Sequence, residues 1–115
     1  MRWGLTLAVL LVAAPAWAAS NVLSWTDNST NEANFIIERK VEACAGTAVA
    51  FAQLATTTAN ITTYTDSAVT EGLTYCYRVA ARNSAGTSAF SNTAGRTVPL
   101  VAPSAPSALG VTGGP

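Results

Sequence analysis

Few residues in this chain of 115 are able to do chemistry, and none of them is a histidine. Without an imidazole there is no Ser-His-Asp or Cys-His nucleophile and no histidine-bearing metal site. Ser24, Ser84 and Ser91 therefore stand without a base partner, and no glycine-rich loop is spaced to cradle a phosphate. Glu38, Glu42, Asp66 and Glu71 are scattered carboxylates. A glycosidase needs two such groups facing each other at ~5 to 9.5 Å across a sugar-sized cleft, which a small filled domain does not provide. Asp27, Ser29, Asn31 and Glu32 offer oxygens at nearly alternating positions, faintly like a calcium loop. They lack the several aspartates and the glycine of an EF-hand, so they read as a polar loop bonding to its own backbone. The expectation is a protein with no catalytic residues, no metal and no cofactor.

Charge excludes a further class. Six basic residues balance six acidic ones, whereas a nucleic-acid binder needs a basic face to displace phosphate counterions. Half of the chain is hydrophobic, and part of that excess sits at the N-terminus. Arg2 precedes an apolar run from Leu5 to Ala14, Pro15 breaks it, and Ala16-Trp17-Ala18 supplies small residues at the positions a signal peptidase reads. Ten residues of helix span only about 15 Å, roughly half a bilayer core. Residues 1–18 are therefore read as a signal peptide rather than an anchor, and the product as exported and extracellular, with the periplasm or the cell surface also open, and without a membrane span. Export changes the meaning of Cys44 and Cys76. In an oxidising compartment they are expected to form a disulfide, the alternative being two separate buried thiols. The bond would close a loop of about 33 residues and contribute roughly 3–4 kcal/mol in the chain-entropy account.

Positioning falls to short strands. Val22 to Thr26 places Leu23 and Trp25 on one face at period two, and Asp27 to Glu32 is a run of turn formers. Phe35 to Arg39 is extended, with Phe35 and Ile37 sharing a face. Ala50 to Leu54 and the β-branched Ile61 to Thr65 read as two more strands, the second carrying Tyr64. After the Glu71-Gly72 turn, Tyr75, Tyr77, Val79 and Ala81 alternate with Cys76, Arg78, Ala80 and Arg82. Asn83 to Gly86 is a turn, and Ser88 to Thr97 forms the last strand. Six short strands and no helical periodicity after residue 18 imply an all-β antiparallel sandwich. Arg39, Arg78 and Arg82 are expected on one exposed sheet face.

The chain resembles a fibronectin type III module, particularly those of secreted bacterial proteins. The resemblance rests on LSWTDNSTNEANFIIER (Leu23 to Arg39), TTYTD (Thr62 to Asp66) and GLTYCYRVAARNSAGTSAFSN (Gly72 to Asn92). It implies an immunoglobulin-like sandwich over residues 19–99, with these segments as strands B–C, E and F–G. Its core signature would be Leu23, Trp25, Phe35, Ile37, Tyr64, Tyr75, Tyr77 and Val79, with Trp25 the strand-B tryptophan and Tyr75 the tyrosine-corner residue. Cys44 would follow strand C, and Cys76 would face outward from strand F, making the bond a surface staple. Such a module implies a non-catalytic spacer, or a protein-protein or adhesion domain, with protein partners and with carbohydrate or cell-surface association also open.

Two departures from the family pattern carry information. Only Ala19 to Asn21 stand between the signal peptide and the Leu-x-Trp strand, so the module's own strand A is expected to be missing. Residues 100–115 are a Pro/Ala/Ser-rich linker and a strand-A-like tail, with Pro106, Leu109 and Val111 as candidate donor-strand residues. One reading makes the chain the leading fragment of a longer secreted multi-module protein, such as a hydrolase. The other makes it a fibre subunit that donates this strand head-to-tail to the next copy.

Overall fold

The computed structural model describes residues 19–115; the signal-peptide reading of residues 1–18 lies outside the described residues. Seven strands are formed among them: β1 (Asn21–Ser24), β2 (Asn34–Lys40), β3 (Ala52–Thr58), β4 (Thr63–Asp66), β5 (Thr74–Asn83), β6 (Gly86–Thr87) and β7 (Ala94–Thr97). β1 and β4 make a two-stranded sheet, and the second sheet runs β3-β2-β5, with β6 and β7 both pairing with β5. Every pairing is antiparallel.

The period-two reading of β2 and β5 explains the core. Phe35, Ile37, Tyr75, Tyr77 and Val79 form one buried cluster with Val98, whose inward position just after β7 the sequence did not announce. Side chains of this size each contribute roughly 1.5–3 kcal/mol on burial. Leu23, Trp25 and Tyr64, on the small sheet, pack against that cluster but are only half-buried. The Trp25 and Phe35 rings meet edge to face at 5.5 Å.

Of the last strand expected from Ser88 to Thr97 only Ala94–Thr97 is formed, and Gly86–Thr87, at the end of the expected turn, pairs with β5 as a separate short strand. Ser88 and Ser91 are the physical reason. Their hydroxyls accept from the backbone N–H of Ala81 (2.9 Å) and Val79 (3.0 Å), where an unbroken strand would present carbonyls. Each hydroxyl donates onward to the carbonyl of the following residue, Ala89 or Asn92. The third strand is also displaced, starting at Ala52 and running to Thr58 rather than covering Ala50 to Leu54.

Cys44 and Cys76 are bonded, with Cα atoms 5.1 Å apart. Cys76 lies on the outer side of β5, opposite Tyr75 and Tyr77, yet it is fully buried rather than a surface staple. The segment between β2 and β3 folds over it and is held by Lys40. The Lys40 ammonium donates to Glu42 Oε1 (3.0 Å) and the Gly46 carbonyl (2.6 Å), and Glu42 in turn accepts from the N–H groups of Ala48 and Val49. Lys40, then those N–H groups, hold the Glu42 carboxyl below its ordinary range against a smaller desolvation cost. Gly95 completes the cover, since a Cβ there would stand 3.0 Å from both Cys44 Sγ and the Tyr75 carbonyl oxygen.

Replacing both cysteines with alanine is expected to lower the unfolding free energy by roughly 3–4 kcal/mol through the freed unfolded-state loop. Urea denaturation of wild type and the double variant measures it, with near-wild-type circular dichroism at zero denaturant.

Candidate functional site

β1 pairs with β4 alone, so among the described residues its second edge has no partner. The Trp25 N–H donates to Thr62 O on the β4 side at 3.0 Å. Alternation along an antiparallel strand then turns the backbone groups of Leu23 the same way and those of Val22 and Ser24 toward the open flank. That flank is a groove of about 760 Å³ between β1 and the β5–β7 edge. Leu23, Trp25 and Val79 line its apolar part, and Ser91, Asn92 and Gly95 its far wall. Trp25 Nε1 is buried with no hydrogen-bond partner among the described residues, an unusual state for an indole in a folded interior.

One end of the groove is fixed by a polar network that bridges the sheets. Asp66, at the end of β4, is 1% exposed. Its carboxylate accepts from Tyr77 Oη (2.7 Å), Arg39 Nη1 (2.8 Å) and the Ala68 N–H (3.0 Å). Asn21, opening β1, donates to Tyr77 Oη (2.9 Å) and accepts from Arg96 Nη1 (2.6 Å). Burial pushes the Asp66 carboxyl up, but Tyr77, Arg39 and the Ala68 N–H together outweigh it and leave the group below its ordinary value. Burial pushes the Tyr77 phenol up to about 12, with Asp66 adding to the rise and the Asn21 hydrogen bond opposing it.

The arginines thus divide, contrary to the expectation of one exposed row. Arg39 shares the parity of Phe35 and Ile37, turns inward to Asp66, and lies 5.1 Å from the Tyr75 ring centroid. Arg78 stays on the outer face, paired with Glu38 at 2.7 Å and flanked by the rings of Phe51 (4.2 Å) and Phe90 (3.8 Å). Arg82 donates to Asn34 Oδ1 beside it. The Tyr75 hydroxyl accepts from the Thr70 N–H at 2.8 Å, tying the β4–β5 connection to the base of β5.

The loop of Asp27, Ser29, Asn31 and Glu32 is closed on itself. Ser29 Oγ donates to Glu32 Oε1 (2.6 Å), the Ser29 N–H to Asp27 Oδ1 (3.0 Å), and the Asn60 N–H to Glu32 Oε2 (3.1 Å). The Ser29 hydroxyl first, then backbone N–H groups, hold the Glu32 carboxyl down at about 2. Among the described residues no three or more His, Cys, Asp or Glu side chains gather where they would hold a metal ion. No described helix is long and apolar enough to cross a membrane. Pro106, Leu109 and Val111 lie in a segment without secondary structure, and the last two are 92% and 91% exposed.

No family model and no curated protein matches the chain. Among solved structures it is similar to the twitchin kinase region from C. elegans (Fn31-NL-kin-CRD-Ig26), with TM-score 0.58 and 22% identity over 71% of this chain. The match spans 14% of that much longer chain. A second likeness, to a structure described as a myokine, has TM-score 0.53 and 20% identity over 72% of this chain and 85% of the other. At these identities the likeness speaks for architecture alone. The fold is an immunoglobulin-like β-sandwich. Within it, the incomplete flank of the small sheet and the groove beside it are the features a packed sandwich does not itself require.

The network sets the pH window of stability. The lowered Asp66 value gives stabilisation that is present above the unfolded carboxyl value near 3.9 and is lost as pH falls below it. The raised Tyr77 value gives stabilisation that is present below about 10 and is lost as pH rises toward about 12. Tyr77→Phe is expected to cost roughly 1–3 kcal/mol at neutral pH, because Asp66 loses a buried donor. It should also reduce the alkaline loss between about pH 10 and 12. Urea midpoints across pH for both proteins check this.

Proposed function

We propose that the chain is a secreted, non-catalytic module of the fibronectin type III kind, whose working surface is the open edge of β1 and the groove beside it. β3 stays on the β2–β5 sheet instead of crossing to β4, unlike the fourth strand of a constant-type immunoglobulin domain. This supports the fibronectin-type arrangement, as do the motifs around Trp25 and Tyr75. The buried disulfide fits an oxidising compartment.

The observation that carries the reading is the state of Leu23 and Trp25. They face the core cluster at the correct period, yet they are half-buried, and the flank that exposes them is a strand-wide groove with outward-turned backbone groups. A sheet edge left in this condition takes up an extended polypeptide, whose main chain supplies hydrogen bonds and whose alternate side chains fill the groove. Such a module works by adhesion or by spacing neighbouring chains.

Trp25 is the single tryptophan after residue 18, so its fluorescence reports on the groove directly. Titration with an uncharged alternating Thr/Val heptapeptide is expected to give a saturable blue shift. The same peptide N-methylated on alternate amides should not, because strand addition needs those donors. Val22→Pro removes an N–H that faces the open flank and leaves the β1–β4 ladder intact, as proline on a sheet edge does. It should abolish the shift at unchanged thermal stability. An equal shift in Val22→Pro, or none in a variant lacking residues 102–115, overturns the reading.

A further inference from the structure

We infer that the strand seated in this groove comes from a second copy of the chain, and that its donated segment is Ser107–Thr112, entering antiparallel to β1. The inference rests on the edge-acceptor reading above and names its occupant.

Three observations favour this occupant. The first is pattern. In Ser107-Ala108-Leu109-Gly110-Val111-Thr112, residues 107, 109 and 111 share one face at period two, so Leu109 and Val111 would cover Leu23 and Trp25 together. These are the most exposed large apolar side chains described, at 92% and 91%. Six extended residues reach about 20 Å, enough for the four of β1 with a residue to spare at each end. The second is charge. No side chain from Thr97 to Pro115 is ionisable, and Val22, Leu23 and Ser24 of the acceptor edge are uncharged too. The edge therefore lacks the lysine, proline or bulge by which sheets ordinarily repel an incoming strand.

The third is polarity, and it selects another molecule over the chain's own groove. β7 ends at Thr97 opposite Thr74, and Arg96 bonds to Asn21, so the tail departs at the pole where β1 begins. There it is pinned. The Val98 N–H donates to Leu73 O, the Gly72 N–H to Val98 O, and the Val101 N–H to Glu71 Oε1, while Leu100 packs on Gly72. A segment leaving this pole reaches its own groove only by immediate reversal and parallel pairing. Into a copy stacked beyond the same pole it runs from the far end toward the start of β1, which is the antiparallel sense. Val101 to Pro106, with prolines at 103 and 106, serves as a short stiff spacer between the two bodies. Ala108 now has φ of 57°, in the left-handed region that alanine rarely adopts. Docking returns it to extended backbone and relieves that strain. Because donor segment and acceptor groove are different surfaces, the contact is heterologous and propagates without closing.

The test uses the chain expressed with residues 1–18 for export and purified oxidised, with the N-terminus of the product determined by mass spectrometry. Light scattering on a sizing column over a hundredfold concentration range is expected to give a mass that more than doubles, with filaments in negative stain. Leu109→Ser/Val111→Ser, which alters no residue of the folded body, should stay monomeric. A variant lacking 102–115 keeps every hydrogen bond described above and should also stay monomeric, and a synthetic peptide of residues 101–115 should shift its Trp25 emission.

A full chain that is monomeric throughout overturns self-donation. So does assembly that persists in the double serine variant. If the tail-less variant binds the Thr/Val heptapeptide but not the 101–115 peptide, the edge-acceptor reading stands and the self-partner falls. If it binds neither, both fall.

Discussion

A sandwich must hold two sheets face to face, and here one of them consists of two four-residue strands. So small a sheet presents too little apolar surface to fix its own position, and the buried Asp66 carboxylate supplies what is missing. Its partners come from β2, through Arg39, and from β5, through Tyr77, and Tyr77 and Arg96 carry the connection on to Asn21 at the start of β1. A buried carboxylate is tolerated only when its lone pairs are filled. Any sliding or tilting of the small sheet would strand that charge, so the network fixes register as well as contact.

The location of the clamp matters for the groove. It anchors β1 at its first residue and leaves the strand's second edge untouched, so the edge is presented in a fixed orientation instead of fraying. The opposite wall includes Ser91, whose hydroxyl takes the place of a carbonyl in the β5 ladder just before β7 begins. A rigid edge facing an interrupted strand makes a slot of definite width. One wall thus depends on polar side chains bonding to one another and the other on a hydroxyl bonding to the main chain, while the apolar cluster beneath them would be the same in a closed sandwich.

The apolar framework was largely legible in the sequence, because period-two alternation in β2 and β5 leaves little freedom. Phe35, Ile37, Tyr75, Tyr77 and Val79 all face inward. The clamp was not legible as a unit, since its members lie on different strands and none is polar in an unusual pattern. One signal was present: Arg39 continues the parity of Phe35 and Ile37, which aims a charge at the core and demands a buried acid. That parity sets Arg39, opposite Tyr77, apart from Arg78 and Arg82, which lie on the other face of the sheet. The break at Ser88 to Thr93 was hidden because serine is compatible with a strand, and only its competition for backbone donors disrupts one. The burial of Cys76 also escaped, since parity tells which side of a sheet a residue faces but not what folds over that side. Lys40, through its bonds to Glu42 and Gly46, decides that.

The distribution of charge separates two surfaces that sequence composition averages to zero. On the outer face of the large sheet, Arg78 is paired with Glu38 and flanked by Phe51 and Phe90, so its guanidinium is already satisfied and gains little from a new partner. Across the molecule, the β1 edge is uncharged from Val22 to Ser24 and lies beside the Trp25 indole, which has no hydrogen-bond partner among the described residues. Neutralised charge on one face and unfilled backbone and indole groups on the other place the unspent interaction capacity at the groove. Hydrophobic cover and main-chain hydrogen bonds are only weakly screened by salt, in contrast to surface ion pairs. An association through β1 of the kind proposed would therefore persist at ionic strengths that would dissolve one made through the arginine face.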